Sequence, residues 1–190
     1  MALLTVKSES DLYERICATL VRAEDTCSCW IGLVEPGTCI VKPVAQAGFE
    51  DAHIPSMEVA GDDGEHGLGP AEVAIKTGQP FVVGDILRNP RLATWRDEAL
   101  RRGYASMAAL PSVHDGETVG ALNVYSGKSH AFGSEQMELL REVASNIAIG
   151  TRSIRLEEEI KASKEFVETV FNSLSDSLLL SSENDTLRVQ

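Results

Sequence analysis

No stretch of this sequence approaches the 18 or so consecutive apolar residues that a membrane-crossing helix needs, and the opening Met-Ala-Leu-Leu-Thr-Val-Lys is too short for a signal peptide. Basic residues are also scarce. Lys and Arg number 17 against 29 Asp and Glu, for a formal charge of -12. Such a surface repels a nucleic-acid backbone or an anionic lipid, so neither is expected as a partner, and a cytoplasmic location is expected. The acidic residues are scattered, and their densest run, Glu157-Glu158-Glu159, reads as the solvated face of a helix. Four cysteines in 190 residues are too few for a disulfide scaffold and read as free thiols of a reducing compartment. Missing too are a Ser-His-Asp order on a nucleophile elbow, a His-Glu-x-x-His helix and the kinase signatures, so this stretch of chain is expected not to be an enzyme.

What is present is an ordinary globular composition, 43% hydrophobic and 24% charged. A length of 190 residues allows one domain of about 150 residues with a real core, plus an appendage. After the capping group Ser8-Glu9-Ser10-Asp11, the residues Leu12, Ile16, Cys17 and Leu20 recur at helical spacing. Residues 27–34 and 39–47 read as a hairpin joined across Glu35-Pro36-Gly37-Thr38. Residues 48–70 read as a long loop with a strand-like run at 54–59. A short helix follows, with Pro70 in its first turn and Gly78 as its stop. A brief strand at 81–83, a helix at 95–102 stopped by Gly103, and strands at 106–113 and 118–125 complete the pattern, the last two joined through Asp115-Gly116.

Ser134 then caps a helix with no Pro or Gly cluster to end it before about residue 172, Gly150 being its single weak point. In its later part Leu156, Ile160, Val167, Val170 and Leu174 mark a coiled-coil seam, flawed at Ser153 and Ser163. A helix over 134–174 would be about 60 Å long and is expected to leave the domain, with a parallel homodimer covering its apolar seam.

Several stretches, in order, resemble the GAF family of small-molecule-sensing domains. They are Trp30-Ile31-Gly32-Leu33-Val34, Val44-Ala45-Gln46-Ala47-Gly48-Phe49, residues 69–80 (Gly-Pro-Ala-Glu-Val-Ala-Ile-Lys-Thr-Gly-Gln-Pro), Asp85-Ile86, Asn89-Pro90, Trp95-Arg96, Gly103-Tyr104-Ala105-Ser106, Ala109-Leu110-Pro111, residues 120–126 (Gly-Ala-Leu-Asn-Val-Tyr-Ser) and Ala131-Phe132. The resemblance covers residues 8–155. It implies an α+β fold: an antiparallel sheet of about six strands, terminal helices on one face, and on the other a ligand pocket roofed by residues 48–104. Residues 166–180 resemble the opening of a PAS domain, implying a coiled-coil helix at 156–174 and a PAS start at 175–190 after a tail at 1–7. The chain is therefore expected to be part of a two-component sensor, of the histidine kinase type.

Strand alternation puts Asn123 and Tyr125 on one face, and with Trp30, His66, Trp95, Tyr104 and Met107 they are the pocket candidates. Cys17, Cys27, Cys29 and Cys39 invite a metal reading, but Cys39 would lie some 16 Å along the hairpin from Cys29, so buried structural thiols are expected. No cofactor is required by the sequence. Haem is a weaker expectation, with His53, His66 or Cys39 as the axial ligand that some haem-binding relatives supply. One GAF branch reduces free methionine sulfoxide with cysteines in the roof and following strand, but residues 48–125 contain none. The bilin-attachment and cyclic-nucleotide signatures of other branches are absent as well. The expected function is thus sensing of an unidentified small molecule, relayed through a dimeric helix. A ligand-free structural spacer and a haem or redox sensor are the alternatives.

Overall fold

A computed structural model describes residues 8–22, 25–35, 37–38, 40–49, 57–58 and 69–186. Helix α1 (Glu9–Val21) starts where the Ser8 hydroxyl accepts the Asp11 N–H, with Glu9 and Asp11 complementing the positive end of the helix. Tyr13 and Cys17, four residues apart and so on one face, are its buried residues. Strand β1 (Ser28–Val34) is buried on both faces until its last residue, as expected of a central strand. It pairs with β2 (Ile40–Ala47) in a hairpin that places Cys29 opposite Ala47 and Val34 opposite Val41, with Gly37 at φ 74 in the turn. A bulge between Ile31 and Gly32 leaves Pro43, which has no N–H to give, at an irregular position of the ladder.

Of the strand expected at 54–59, the described part is β3 (Met57–Glu58), paired with Ile40 and Val41. Helix α2 (Pro70–Thr77) has proline in its first turn and Gly78 at φ 64 as its left-handed stop. Strand β4 (Phe81–Val83) leads to a 3-10 helix (Pro90–Trp95), which runs into α3 (Arg96–Arg102), stopped by Gly103 at φ 71. The helix expected at 95–102 is thus present as α3, preceded by a separate 3-10 segment that starts where the Asn89 side chain accepts the Arg91 N–H and the proline ring presets the next turn. Strands β5 (Ser106–His114) and β6 (Glu117–Ser126) form the longest hairpin. Its turn residues Asp115 and Gly116 sit at φ 50 and φ 81, the doubly left-handed arrangement that matches the right-handed twist of paired strands.

The six strands form one antiparallel sheet in the order β3-β2-β1-β6-β5-β4. One face carries Cys29, Ile31, Leu33, Ala108, Leu110, Leu122 and Val124. Against it pack Tyr13 and Cys17 of α1 and Met137, Leu140, Ala144 and Ile147 of helix α4 (Ser134–Thr186). Gly150 is not a flaw in this setting: a Cβ there would meet Leu12 Cδ2 at 2.6 Å, so its bareness lets the two helices close. Beside it Thr151 donates to Ile147 O at 2.7 Å and accepts, by elimination, the buried Tyr13 hydroxyl at 2.8 Å.

The chain divides into a first unit to Thr151 and a second from Arg152. Within the second, α4 does not end near Leu174 as expected for a PAS opening. Residues 175–186, within the span expected as the start of that domain, continue the same helix. The sequence after Gly150 holds no Pro or Gly, and the serines of 173–177 disfavour helix too weakly to stop it. Among the described residues no helix is long and apolar enough to cross a membrane.

The packing sets an order of costs. Leu122→Ala, which empties a fully buried site between sheet and helices, is expected to lower the unfolding free energy by about 3 kcal/mol. Tyr13→Phe, which leaves Thr151 bonded to Ile147, is expected to cost about 1 kcal/mol. Urea denaturation with equal losses for the two would contradict this division.

Candidate functional site

The opposite face of the sheet is built from the alternate residues. Trp30 stands across from Asn123, and Tyr125 across from both Ser28 and Met107, so β1, β6 and β5 supply one continuous floor. Trp30 is only 4% exposed, and its indole lies over Gly32, where a Cβ would meet the ring at 2.6 Å. Trp30 Nε1–H donates to the Tyr125 hydroxyl at 3.3 Å, which fixes the two rings relative to each other.

Above the floor, the start of α2 brings Gly69, Pro70 and Ala71, held by the Glu72 carboxylate accepting the Gly69 N–H. The segment from Ile86 through α3 brings Leu92, Trp95, Glu98, Ala99 and Arg102, whose last four recur at helical spacing on one face. Phe49 packs edge-on to both Tyr104 and Tyr125, at 6.5 and 6.2 Å between ring centres, while Tyr104 stacks on Tyr125 at 4.7 Å. Together these side chains border a cavity of about 210 Å³. That is little more than the roughly 150 Å³ of an apolar cavity that admits benzene, and below the usual range for drug-sized ligands.

Among the described lining residues the acid and the base, Glu98 and Arg102, pair with each other. Glu98 pairs with Arg101 at 2.7 Å and also with Arg102, and both partners hold its carboxyl below the ordinary range. Arg102 in turn lies over the Phe49 ring at 5.7 Å. Burial pushes the Tyr125 phenol up to about 12, against the opposing effect of the Trp30 bond. Burial also raises Tyr104, partly offset by Ser28 and Arg102. Asn123 is 1% exposed, and its Oδ1 has no hydrogen-bond partner among the described residues.

The sheet is thus two-faced, with helices below and an aromatic cavity above. The model of the GAF domain family matches residues 6–151. The chain belongs to the GAF family. The methyl sulfide methyltransferase-associated sensor of Methanosarcina acetivorans is 25% identical over 111 residues, 58% of this chain but only 11% of that protein. The GAF domain of a phosphoenolpyruvate-protein phosphotransferase from Coxiella burnetii superposes with a TM-score of 0.68 at 15% identity, over 82% of this chain and 89% of that one. The free methionine-R-sulfoxide reductase of Neisseria meningitidis, solved with its substrate, gives 0.62 at 19% identity, over 78% and 80%. Identities this low show a shared fold.

In this GAF domain, Trp30, Trp95, Tyr104, Met107, Asn123 and Tyr125 all line the one cavity. Trp95 is the outermost, at 48% exposed. His53, His66 and Cys39 lie outside the described residues. The seam residues Leu156, Ile160, Val167, Val170 and Leu174 belong to the second unit and all expose apolar surface.

The cysteines depart in part from expectation. Cys17 and Cys29 are fully buried, and α1 brings them together: Cys29 Sγ–H donates to Cys17 O at 3.4 Å. The neighbouring Cys17 thiol, and then burial, push the Cys29 thiol far up, so Cys29 is not poised as a thiolate. Cys27, expected to be a buried thiol, is instead exposed. The strand begins only at Ser28, and the Cys27 thiol turns to the Tyr125 carbonyl at 3.3 Å.

Phe49, Glu98 and Arg102 were not among the sequence candidates. The inward stripe Trp95, Glu98, Arg102, spaced by 3 and 4, was a usable signal, whereas nothing local to Phe49 marks it as a wall.

Two outcomes follow from this geometry. Gly32→Ala is expected to displace the Trp30 indole and shift its fluorescence while leaving the fold intact. Because the Tyr125 phenol ionises later in the folded than in the unfolded chain, its contribution to stability is complete below about pH 10 and is lost as pH rises towards 12. Denaturation at pH 9 and 11.5 should therefore show a steeper loss for the native chain than for Tyr125→Phe.

Proposed function

We propose that this GAF domain is the sensing module of a larger signalling protein. A small molecule occupies the cavity, the sheet and its helices adjust, and the helix from Arg152 onward, paired with that of a second copy, passes the state to an output domain. On the same reading a PAS domain, its opening helix continuous with α4, and a histidine kinase lie downstream, and no membrane or nucleic acid is contacted by this part of the chain.

The observation that carries this reading is the shared use of β1 and β6. Trp30, Asn123 and Tyr125 border the cavity, while their chain neighbours Cys29, Ile31, Leu122 and Val124 bear on α1 and the start of α4. Any molecule that moves the first set moves the second. It shifts the equilibrium between two arrangements only by its difference in affinity for them.

The relay part is supported by the exposed seam on α4. Ile160, 68% exposed, stands with Leu156, Val167, Val170 and Leu174 at spacings of 4, 7, 3 and 4, a pattern that a parallel second copy buries. Sedimentation at tens of micromolar is expected to show a dimer for the native chain and a monomer for the double variant Ile160→Asp, Val167→Asp, with the first unit still folded. A monomeric native chain would remove the relay from the proposal.

The sulfoxide reductase among the solved relatives suggests a catalytic alternative. The described residues lining the cavity include no cysteine, and none occurs between residues 48 and 125. With dithiothreitol as reductant, no turnover of free methionine-R-sulfoxide is expected. Measurable reduction would overturn the assignment as a binding module.

A further inference from the structure

The floor of the cavity holds an amide that the protein leaves without a full set of partners. Asn123 Oδ1 is unpaired among the described residues, and Nδ2 reaches only the Ala121 carbonyl, at the limiting distance of 3.5 Å. Asparagine is a poor strand former, and a buried amide acceptor with no donor is costly in any apolar setting. The residue stands in the middle of β6, between Ala121 and Tyr125 on the same face, where an apolar side chain would meet neither cost.

Whichever way the amide is turned, its edge offers one acceptor and one donor side by side. The complementary shape is another amide edge, an N–H and a C=O held cis to one another, which satisfies both positions at once. Tyr125 adds to this set, since its hydroxyl accepts from Trp30 and still has a proton to donate.

Size and charge narrow the class further. A cavity of about 210 Å³ admits a molecule of one or two rings. Trp30, Phe49, Trp95, Tyr104 and Tyr125 make its walls predominantly aromatic. The one acid and one base among the described lining residues, Glu98 and Arg102, are already bonded to each other, so a charged ligand would have to break that pair to gain a counter-charge.

We propose, on the reading of the cavity as a ligand site, that it takes a small uncharged cyclic amide, a lactam or imide, whose H–N–C=O edge pairs with Asn123 while its ring packs among the aromatic side chains. The amide thus selects the ligand, and the rings supply most of the contact.

Calorimetric titration of the full chain with three probes of nearly equal size tests this. The probes are 2-quinolinone, 1-methyl-2-quinolinone, in which the N–H is blocked, and naphthalene, which has neither polar group. The expected result is that 2-quinolinone binds at least about tenfold more tightly than the other two, since each of those leaves the buried Asn123 acceptor without a donor. Asn123→Leu, with its fold checked by circular dichroism, is expected to erase that difference while still binding naphthalene. Equal binding of all three by the native chain would overturn the amide assignment and leave the ligand site standing. Binding of none would overturn the ligand site itself, and a tenfold preference that persists in folded Asn123→Leu would take the role away from Asn123.

Discussion

The pairing of β1 with β6 is the constraint on which the rest of the molecule depends. Both strands lie inside the sheet with both faces covered, so every residue along them must be satisfied from one side or the other. The two sides are covered differently. Below, α1 and the start of α4 close over mostly aliphatic side chains, with the Tyr13–Thr151 hydroxyl pair and the Cys29 thiol on the Cys17 carbonyl as polar contacts. Above, short helices and a connecting segment bring aromatic rings that meet at their edges and leave space between them. A packed face and a cavity are thus separated by one layer of backbone.

Close approaches at bare glycines make this arrangement possible. Gly32 gives the Trp30 indole a place to lie, and Gly150 allows α1 to seat on α4. One serves the cavity and the other serves the helices, and in each case a side chain would occupy space that the partner already fills. The polar groups on the cavity side are placed with a similar economy: Trp30 donates to Tyr125, Glu98 pairs with Arg102, and the Asn123 oxygen has no partner among the described residues.

Much of the fold was legible in the sequence because local chemistry and global fold agree. The Asp115-Gly116 turn, the stops at Gly78 and Gly103 and the cap at Ser8 each have a strong intrinsic preference that the tertiary structure keeps. The α+β sheet and its helices followed from these signals together with the family resemblance. Alternation along β6 separated Asn123 and Tyr125 from Leu122 and Val124. What was not legible depends on contacts between distant segments. Gly150 looks like a weakness until Leu12 is placed against it, and Phe49 is an ordinary loop residue until Tyr104 and Tyr125 converge on it. Cys17 and Cys29 are twelve residues apart in sequence and meet only because α1 folds back on β1. The end of α4 was misjudged for the opposite reason: a family resemblance suggested a boundary where the residues themselves offer no break.

The central claim is that the aromatic cavity is there to be occupied, and that its occupant acts on a paired helix. Native mass spectrometry of the full chain, taken directly from the cell and again after incubation with a deproteinised small-molecule extract, tests both halves at once. The account predicts a dimer whose mass exceeds that of two polypeptides by a small, displaceable increment. A bare monomer in both preparations would contradict it.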